Sequence, residues 1–313
     1  MIAQTAHRIL LTLPIALSVS FLCFLLVHLA PGDPINAIVP PDAPAEVVER
    51  VRADYGLDGP LPEQFVMWLS HVLKGDLGRS LASGQPVVVE LQAALPYTVR
   101  LGAVASLFAV LMGTAVGLAG ALSRRRLVNL PMAVAAVLVS VPAYWFGMAM
   151  VAMASAYLRV LPSSGGGPGA WQWDVSHLRF IVLPALTIAI IPTGIIARSV
   201  HSTVSQILNQ EVIVALRSKG LAARRLWLHV FKQSLPPVLA TVGLQVGYMI
   251  GGSILIETVF SWPGTGLLMN NAIFQRDLPL LQGTILVLAL FFVAINLAVD
   301  LLQALLDPRI RRT

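Results

Sequence analysis

An all-α integral membrane protein with six transmembrane helices and both termini cytoplasmic is the fold class this sequence predicts, on three observations. The 313-residue chain is 57% hydrophobic and only 12% charged, against about 25% charged in ordinary soluble domains. Uncharged stretches long enough to span a bilayer, about 20 helical residues, recur along it. The basic residues fall on alternate sides of those stretches, as the positive-inside rule requires.

The expected spans cover residues 9–32, 101–123, 132–158, 180–197, 234–256 and 278–299, within a single transmembrane domain over 1–313. The first is basic and then apolar, like a signal sequence. Its end at His28, Leu29 and Ala30 lacks the small-x-small cleavage pattern, so an uncleaved span is expected. The interval between Arg126 and Arg159 is longer than one span and shorter than two with a turn, and reads as one helix with an interfacial extension.

Six spans place thirteen basic residues inside (Arg8, Arg124, Arg125, Arg126, Arg198, Arg217, Lys219, Arg224, Arg225, Lys232, Arg309, Arg311, Arg312) against Glu211, Asp300 and Asp307. Eight basic and twelve acidic residues remain outside. Splitting the third interval in two would put the basic carboxyl terminus outside. The sequence pI near 10.0 therefore follows from topology and does not imply a nucleic-acid partner.

Between the first two spans lies an outside loop, 33–97, in which Val47, Val48, Val51 and Tyr55 share one side of a short amphipathic helix and Glu46, Glu49, Arg50 and Asp54 the other. A lid over loop backbone and a docking surface are equally open readings. A second outside loop carries Pro162, Ser163, Ser164 and Gly165, Gly166 and Gly167, which suggest mobility, and then Trp171 and Trp173, which suggest interfacial anchoring. There is no internal repeat.

The chain lacks the parts of an enzyme or an ion relay. A phosphate-cradling loop needs Lys directly after Gly, but Lys74, Lys219 and Lys232 follow Leu73, Ser218 and Phe231. The histidines His7, His28, His71, His177, His201 and His229 do not pair at helical spacing with each other or cluster with carboxylates. Cys23 is the only cysteine, which excludes an internal disulfide. Arg100, Arg198, Glu257, Asp277 and Asp300 all fall at span ends, whereas an ion-coupled secondary transporter keeps ionisable groups near the bilayer midplane. Asn296 and Asp300, one turn apart, suit an interhelical hydrogen bond.

In the fifth span Gly243, Gly247 and Gly251 recur every fourth residue and offer a groove to another helix. Gln245, Met249, Gly252 and Ile256 fall on roughly the opposite face, which makes Gln245, Met249 and Gly252 candidates for a translocation path. Gly113, Gly117 and Gly120 mark the second span in the same way.

The loop at 198–233 is the strongest local signal. Residues 210–219 suit a short helix stopped by Gly220, the residue best fitted to a left-handed cap. From Ala222 to Gln233, Leu226, Trp227, Val230 and Phe231 oppose Arg225, His229 and Lys232, as in a helix lying on the inner membrane surface. A plain basic connector remains the alternative.

The run EVIVALRSKG at 211–220, followed by Arg224, Arg225 and the LPP at 235–237, resembles the cytoplasmic coupling loop of permease subunits of binding-protein-dependent ABC importers, in the branch handling dipeptides, oligopeptides, glutathione and nickel. LAPGDP at 29–34, YGLDGPL at 55–61, KGDLGRS at 74–80, ETVFSWPGTG at 257–266, RDLP at 276–279 and DPRIR at 307–311 extend the resemblance over nearly the whole chain.

The resemblance implies a type I ABC importer permease fold in a bacterial plasma membrane. It implies an ATPase-coupling loop made by Glu211, Ala215, Leu216, Arg217, Lys219 and Gly220. Where the broad family motif favours Glu-Ala-Ala, this chain has Val214, Ala215 and Leu216. The implied partners are a second homologous permease, two ATPase subunits and an extracytoplasmic substrate-binding protein. ATP and Mg would sit on the ATPases, with no cofactor or metal in this chain. The implied cargo is a dipeptide or oligopeptide, with nickel or glutathione as the alternative within the family.

Overall fold

The computed structural model describes residues 2–29, 35, 39, 43–54, 58–123, 129–167 and 175–306. The basic triplet Arg124 to Arg126, most of the LAPGDP run, Tyr55, Trp171, Trp173 and the terminal DPRIR run lie outside the described residues.

Among those residues the chain is helical, with one isolated antiparallel bridge between Arg79 and Pro86. Helix α1 covers Ile2–Leu29, α2 Ala45–Asp54, α3 Leu61–Leu73, α4 Val87–Leu122, α5 Asn129–Ser140 and α6 Ala143–Met150, which continues as a π-helical segment Val151–Tyr157. Then come α7 (Val175–Leu208), α8 (Glu211–Ser218), α9 (Ala223–Gly251), α10 (Ile254–Val259), α11 (Thr265–Gln275) and α12 (Leu278–Leu306). Three of these (α4, α7 and α12) are long and apolar enough to cross a membrane, and the bent pair α5–α6 makes a fourth.

The third expected span is broken. Residues 130–140 and 143–157 are bent by 99° at the break. Pro142 disfavours helical backbone at Val141 and itself caps α6, with the Phe146 N–H donating to its carbonyl at 3.1 Å. One helix with an interfacial extension is therefore replaced by two helices meeting at a corner.

Helix α7 is the centre of the molecule, packed against α4, α5, α6 and α9, while α12 joins α1 to α9. Small residues set these approaches. A Cβ on Gly117 would lie 2.6 Å from the Ala197 carbonyl oxygen, and one on Gly113 2.9 Å from Ile196 and from the Thr193 carbonyl. The α4 and α7 backbones can meet only because those positions are glycine. Leu101, Ala105, Ala109, Leu183, Ala185 and Ile196, all fully buried, fill the seam.

Helices outrun the expected spans. Helix α7 continues through Arg198 to Leu208, and α9 begins at Ala223, well before residue 234. Charge marks where a chain leaves hydrocarbon, but backbone hydrogen bonding continues into the next phase. The expected loop 198–233 is accordingly reduced to the short segments flanking α8.

At the N-terminal end of α7 the chain folds back on itself through α10 and α11, and α3 packs on α1 through an aromatic cluster. Phe65 meets Phe21 and Phe24 edge-on at 5.2 and 5.5 Å, and the His28 ring is 2.8 Å from Gln64 Oε1. The glycine run, expected to be mobile, is docked. The Gly165 N–H donates to the Phe260 carbonyl at 2.9 Å, and a Cβ on Gly166 would lie 2.5 Å from Pro263. Close approach is what these glycines supply.

Candidate functional site

Helix α8 projects from the C-terminal end of α7 and turns back into α9. Ile213 is fully buried and Leu216 half-buried, and both bear on the main core. Val212 and Val214 are 57% and 55% exposed, and Glu211, Ala215, Arg217 and Lys219 are exposed with them. One turn of anchor thus holds an outward surface of valine, alanine and basic side chains. Glu211 stands in the first turn and Arg217 in the last, each favourable to the helix dipole.

The two ends of α8 are fixed differently. Gln210, at φ −69° and ψ 141°, precedes the helix, and its Oε1 accepts from Gln233 Nε2 on α9 at 3.0 Å. Gly220 sits at φ +73°, the Leu221 N–H donates to the Leu216 carbonyl at 3.1 Å, and the Gly220 N–H donates to that of Arg217 at 2.9 Å. That is a Schellman cap, and its apolar pair, Leu216 and Leu221, packs on the core.

The first turns of α9 bury Leu226, Val230 and Ser234 and expose Arg224, Arg225, Trp227, Leu228, His229, Phe231 and Lys232. Trp227 and Arg217 also border a cavity of about 320 Å³ shared with Ser205, Asn209 and the end of α4. The surface is apolar and cationic at once.

In α9 the glycines separate. Gly243 lies against Val299 and Gly247 against Phe292, both on α12, whereas Gly251 has open space where a Cβ would be. Gln245 and Met249, expected on a translocation path, are 7% and 1% exposed, and the Ser106 hydroxyl is 3.5 Å from the Met249 sulfur. Helix α4 meets this face at Met249, a neighbour the sequence could not place. Gly252 is exposed, together with Leu244, Tyr248 and Leu255. Asn296 donates to the Phe292 carbonyl of its own helix at 3.0 Å, in place of the interhelical bond expected of it.

Two buried carboxylates escaped the sequence reading except as residues at span ends. Glu257, fully buried, accepts from Thr98 at 2.9 Å, Ser253 at 2.8 Å, and the Gly266 and Leu267 N–H groups at 2.7 and 3.3 Å. It thereby joins α4 to the amino end of α11, where the helix dipole favours an anion. Burial pushes the Glu257 carboxyl above its ordinary value, and these four hydrogen bonds oppose the rise. Beside it Trp262, also fully buried, donates its indole N–H to the Tyr97 carbonyl at 3.0 Å. The only advance signal was an acid in apolar surroundings followed by a Pro-Gly turn.

Comparison with known proteins places this geometry. Residues 105–312 match the family described as binding-protein-dependent transport system inner membrane component. This chain belongs to that family. Residues 1–102 of the transport component match the corresponding N-terminal family model. The component is 37% identical over 313 residues to the glutathione transport system permease protein GsiC of Salmonella typhimurium, covering 99% of both chains. It is 36% identical over the same length to the Escherichia coli (strain K12) protein of that name, again covering 99% of both. It thus falls in the peptide, nickel and glutathione branch. Among solved structures, inward-facing MetNI methionine ABC transporter shares the fold with TM-score 0.58 at 16% identity, over 69% of this chain and 96% of that one. The fold is that of a type I ABC importer permease.

Proposed function

We propose that this chain is one permease subunit of an ATP-driven importer of short peptides in a bacterial inner membrane, with six spans, both termini cytoplasmic and α8 as the helix that seats on an ATPase. The observation that carries the coupling role is the form of α8: Ile213 and the Gly220 cap hold it rigidly while Val212, Val214 and Ala215 face outward. A short, preorganised helix with an apolar exposed edge suits insertion into a groove on a partner.

A second, homologous permease would complete the pathway, two ATPases would hold ATP and Mg, and an extracytoplasmic binding protein would deliver the cargo. Closure of the ATPases would draw the two coupling helices together and open the permeases outward. Hydrolysis would return them inward. Such coupling requires that α8 make different contacts in the two states, since only differential contacts shift an equilibrium.

Among short peptides glutathione is the first candidate, supported by full-length identity of 37% and 36% to glutathione permeases. Dipeptides and longer oligopeptides belong to the same reading. The test is uptake of labelled glutathione and a labelled dipeptide into proteoliposomes holding the co-purified assembly, with and without ATP and binding protein. Uptake that needs every component is the expected result. Uptake driven by an ion gradient without ATP would overturn it.

A further inference from the structure

At the N-terminal end of α7, away from α8, a cavity of about 500 Å³ opens between the end of the π-helical segment and the second turn of α7. Its polar lining is Arg159, Arg179, Ser155 and Ser163, and Leu161 and Phe180 close its apolar side. This volume lies within the range of small-molecule sites, about 300–1,000 Å³, which combine an apolar wall with a few convergent polar groups.

The two arginines are placed by backbone. The π-helical segment ends with the Leu158 N–H donating to the Met153 carbonyl at 2.9 Å and the Val160 N–H to that of Ala154 at 3.0 Å. Arg159 between them takes φ +53°, a left-handed conformation that a non-glycine residue adopts at a cost. Arg179 donates one guanidinium N–H to the Val160 carbonyl at 2.7 Å, which leaves its other donors for the cavity. Among the described residues neither arginine pairs with a carboxylate, and the buried Ser155 Oγ has no hydrogen-bond partner.

Two guanidinium groups, an unsatisfied hydroxyl and an apolar wall make a site for an oxyanion attached to an apolar or amide body. Arginine forks match carboxylate oxygens two at a time, and such charge-assisted bonds are about twice as strong as neutral ones. We propose that this cavity receives a carboxylate of the transported peptide on the outer side of the permease, a step that rests on the importer reading above. The wall carrying Ser163 continues into Gly165, bonded to Phe260 beside the buried Glu257. A phospholipid phosphate shares the oxyanion chemistry, so the experiment separates the two.

The measurement is the rate of maleimide labelling of a Ser163→Cys variant of the purified, assembled complex, with S-methylglutathione as probe and inorganic phosphate as comparison. Protection should slow labelling about tenfold with the peptide at roughly ten times its Kd, because the free fraction sets the rate. Arg159→Gln and Arg179→Gln should each remove most of that protection while size exclusion shows an intact complex. Arg159 is exposed, so its variant remains informative if loss of the Arg179 anchor disturbs folding. No protection in the parent, or protection unchanged in both arginine variants, overturns the site. Protection by phosphate but not by peptide overturns the substrate assignment in favour of a lipid headgroup. Labelling is read without transport, so absence of ATP-dependent uptake would fail the importer reading separately.

Discussion

Asp277 and Ser80, 197 positions apart in sequence, are joined by a hydrogen bond of 2.5 Å from the serine hydroxyl to the aspartate, with both side chains buried. The same carboxylate oxygen accepts from the Ala82 N–H at 3.1 Å, and the other accepts from the Leu280 N–H at 3.1 Å. Asp277 is thus at once the N-cap of α12 and the tie that holds the segment before α4. Asp277→Ala removes a helix cap and strands a buried hydroxyl and an amide, so it should destabilise by about 3 kcal/mol. Ser80→Ala leaves the two N–H groups on Asp277 paired and removes the acceptor only of the Ser83 N–H, which donates to Ser80 Oγ at 3.0 Å on an exposed residue, so it should cost about 1 kcal/mol. Thermal unfolding of the purified assembly, with proteolysis of the 76–86 segment, checks the order; equal effects would refute the double role of Asp277.

Glu257 gives a similar contrast in chemistry. In Glu257→Gln the amide oxygen can still accept from the Gly266 and Leu267 N–H groups, but its NH2 cannot accept from Ser253 and Thr98. The Thr98 hydroxyl can turn to Thr265 Oγ1, 2.9 Å away, and the Ser253 hydroxyl to the Ile250 carbonyl at 3.2 Å. A loss of about 1–2 kcal/mol is expected for Gln and about 3 for Ala, which leaves the Gly266 and Leu267 N–H groups without their acceptor. Chemical denaturation in detergent measures both. A stabilising Glu257→Ala would mean that desolvation of the carboxylate outweighs its hydrogen bonds.

The legibility of the chain divides along physical lines. Helix α8 could be read because its information is local: an apolar–basic run and a glycine where the backbone turns left-handed. The Ser80–Asp277 and Thr98–Glu257 ties could not, because nothing in a sequence specifies which distant polar groups meet. Helical spacing set Gly243 apart from Gln245 and Met249 but could not show that Met249 meets Ser106 of α4. The break at Val141 and Pro142 was visible as a proline. Length arithmetic over the interval hid it.

The glycines of α4 and α9 predict opposite responses to one methyl group. Gly117→Ala would place its Cβ 2.6 Å from the Ala197 carbonyl oxygen, forcing α4 and α7 apart at a cost of about 1–3 kcal/mol. Gly251→Ala meets nothing within 4 Å and trades backbone freedom for helix propensity, a gain of about 0.5 kcal/mol. Unfolding midpoints of the two variants in the same detergent should therefore fall on either side of the parent. A destabilised Gly251→Ala would reveal that a neighbour in the assembly approaches this face of α9 closely.

Gly220 separates conformation from contact at α8. A Cβ there meets nothing within 4 Å, so the φ of +73° is the whole reason for glycine. Gly220→Ala should cost about 1 kcal/mol, the penalty of left-handed backbone, and Gly220→Asn less, because asparagine tolerates it. Gly220→Pro cannot adopt that φ and loses the N–H that donates to the Arg217 carbonyl. In an eight-residue helix with one buried anchor, loss of the cap frays the turn that carries Ala215 and Leu216. Binding-protein-dependent uptake should then fall in the order parent, Asn, Ala, Pro, with Pro abolishing it and membrane insertion unchanged throughout. With α8 seating on an ATPase as proposed above, a bulky charged residue at exposed Ala215 should abolish uptake with the cap intact, because it blocks that seating without unfolding α8. If Gly220→Pro transports normally while Ala215→Arg does not, the surface of α8 matters and its preorganisation does not.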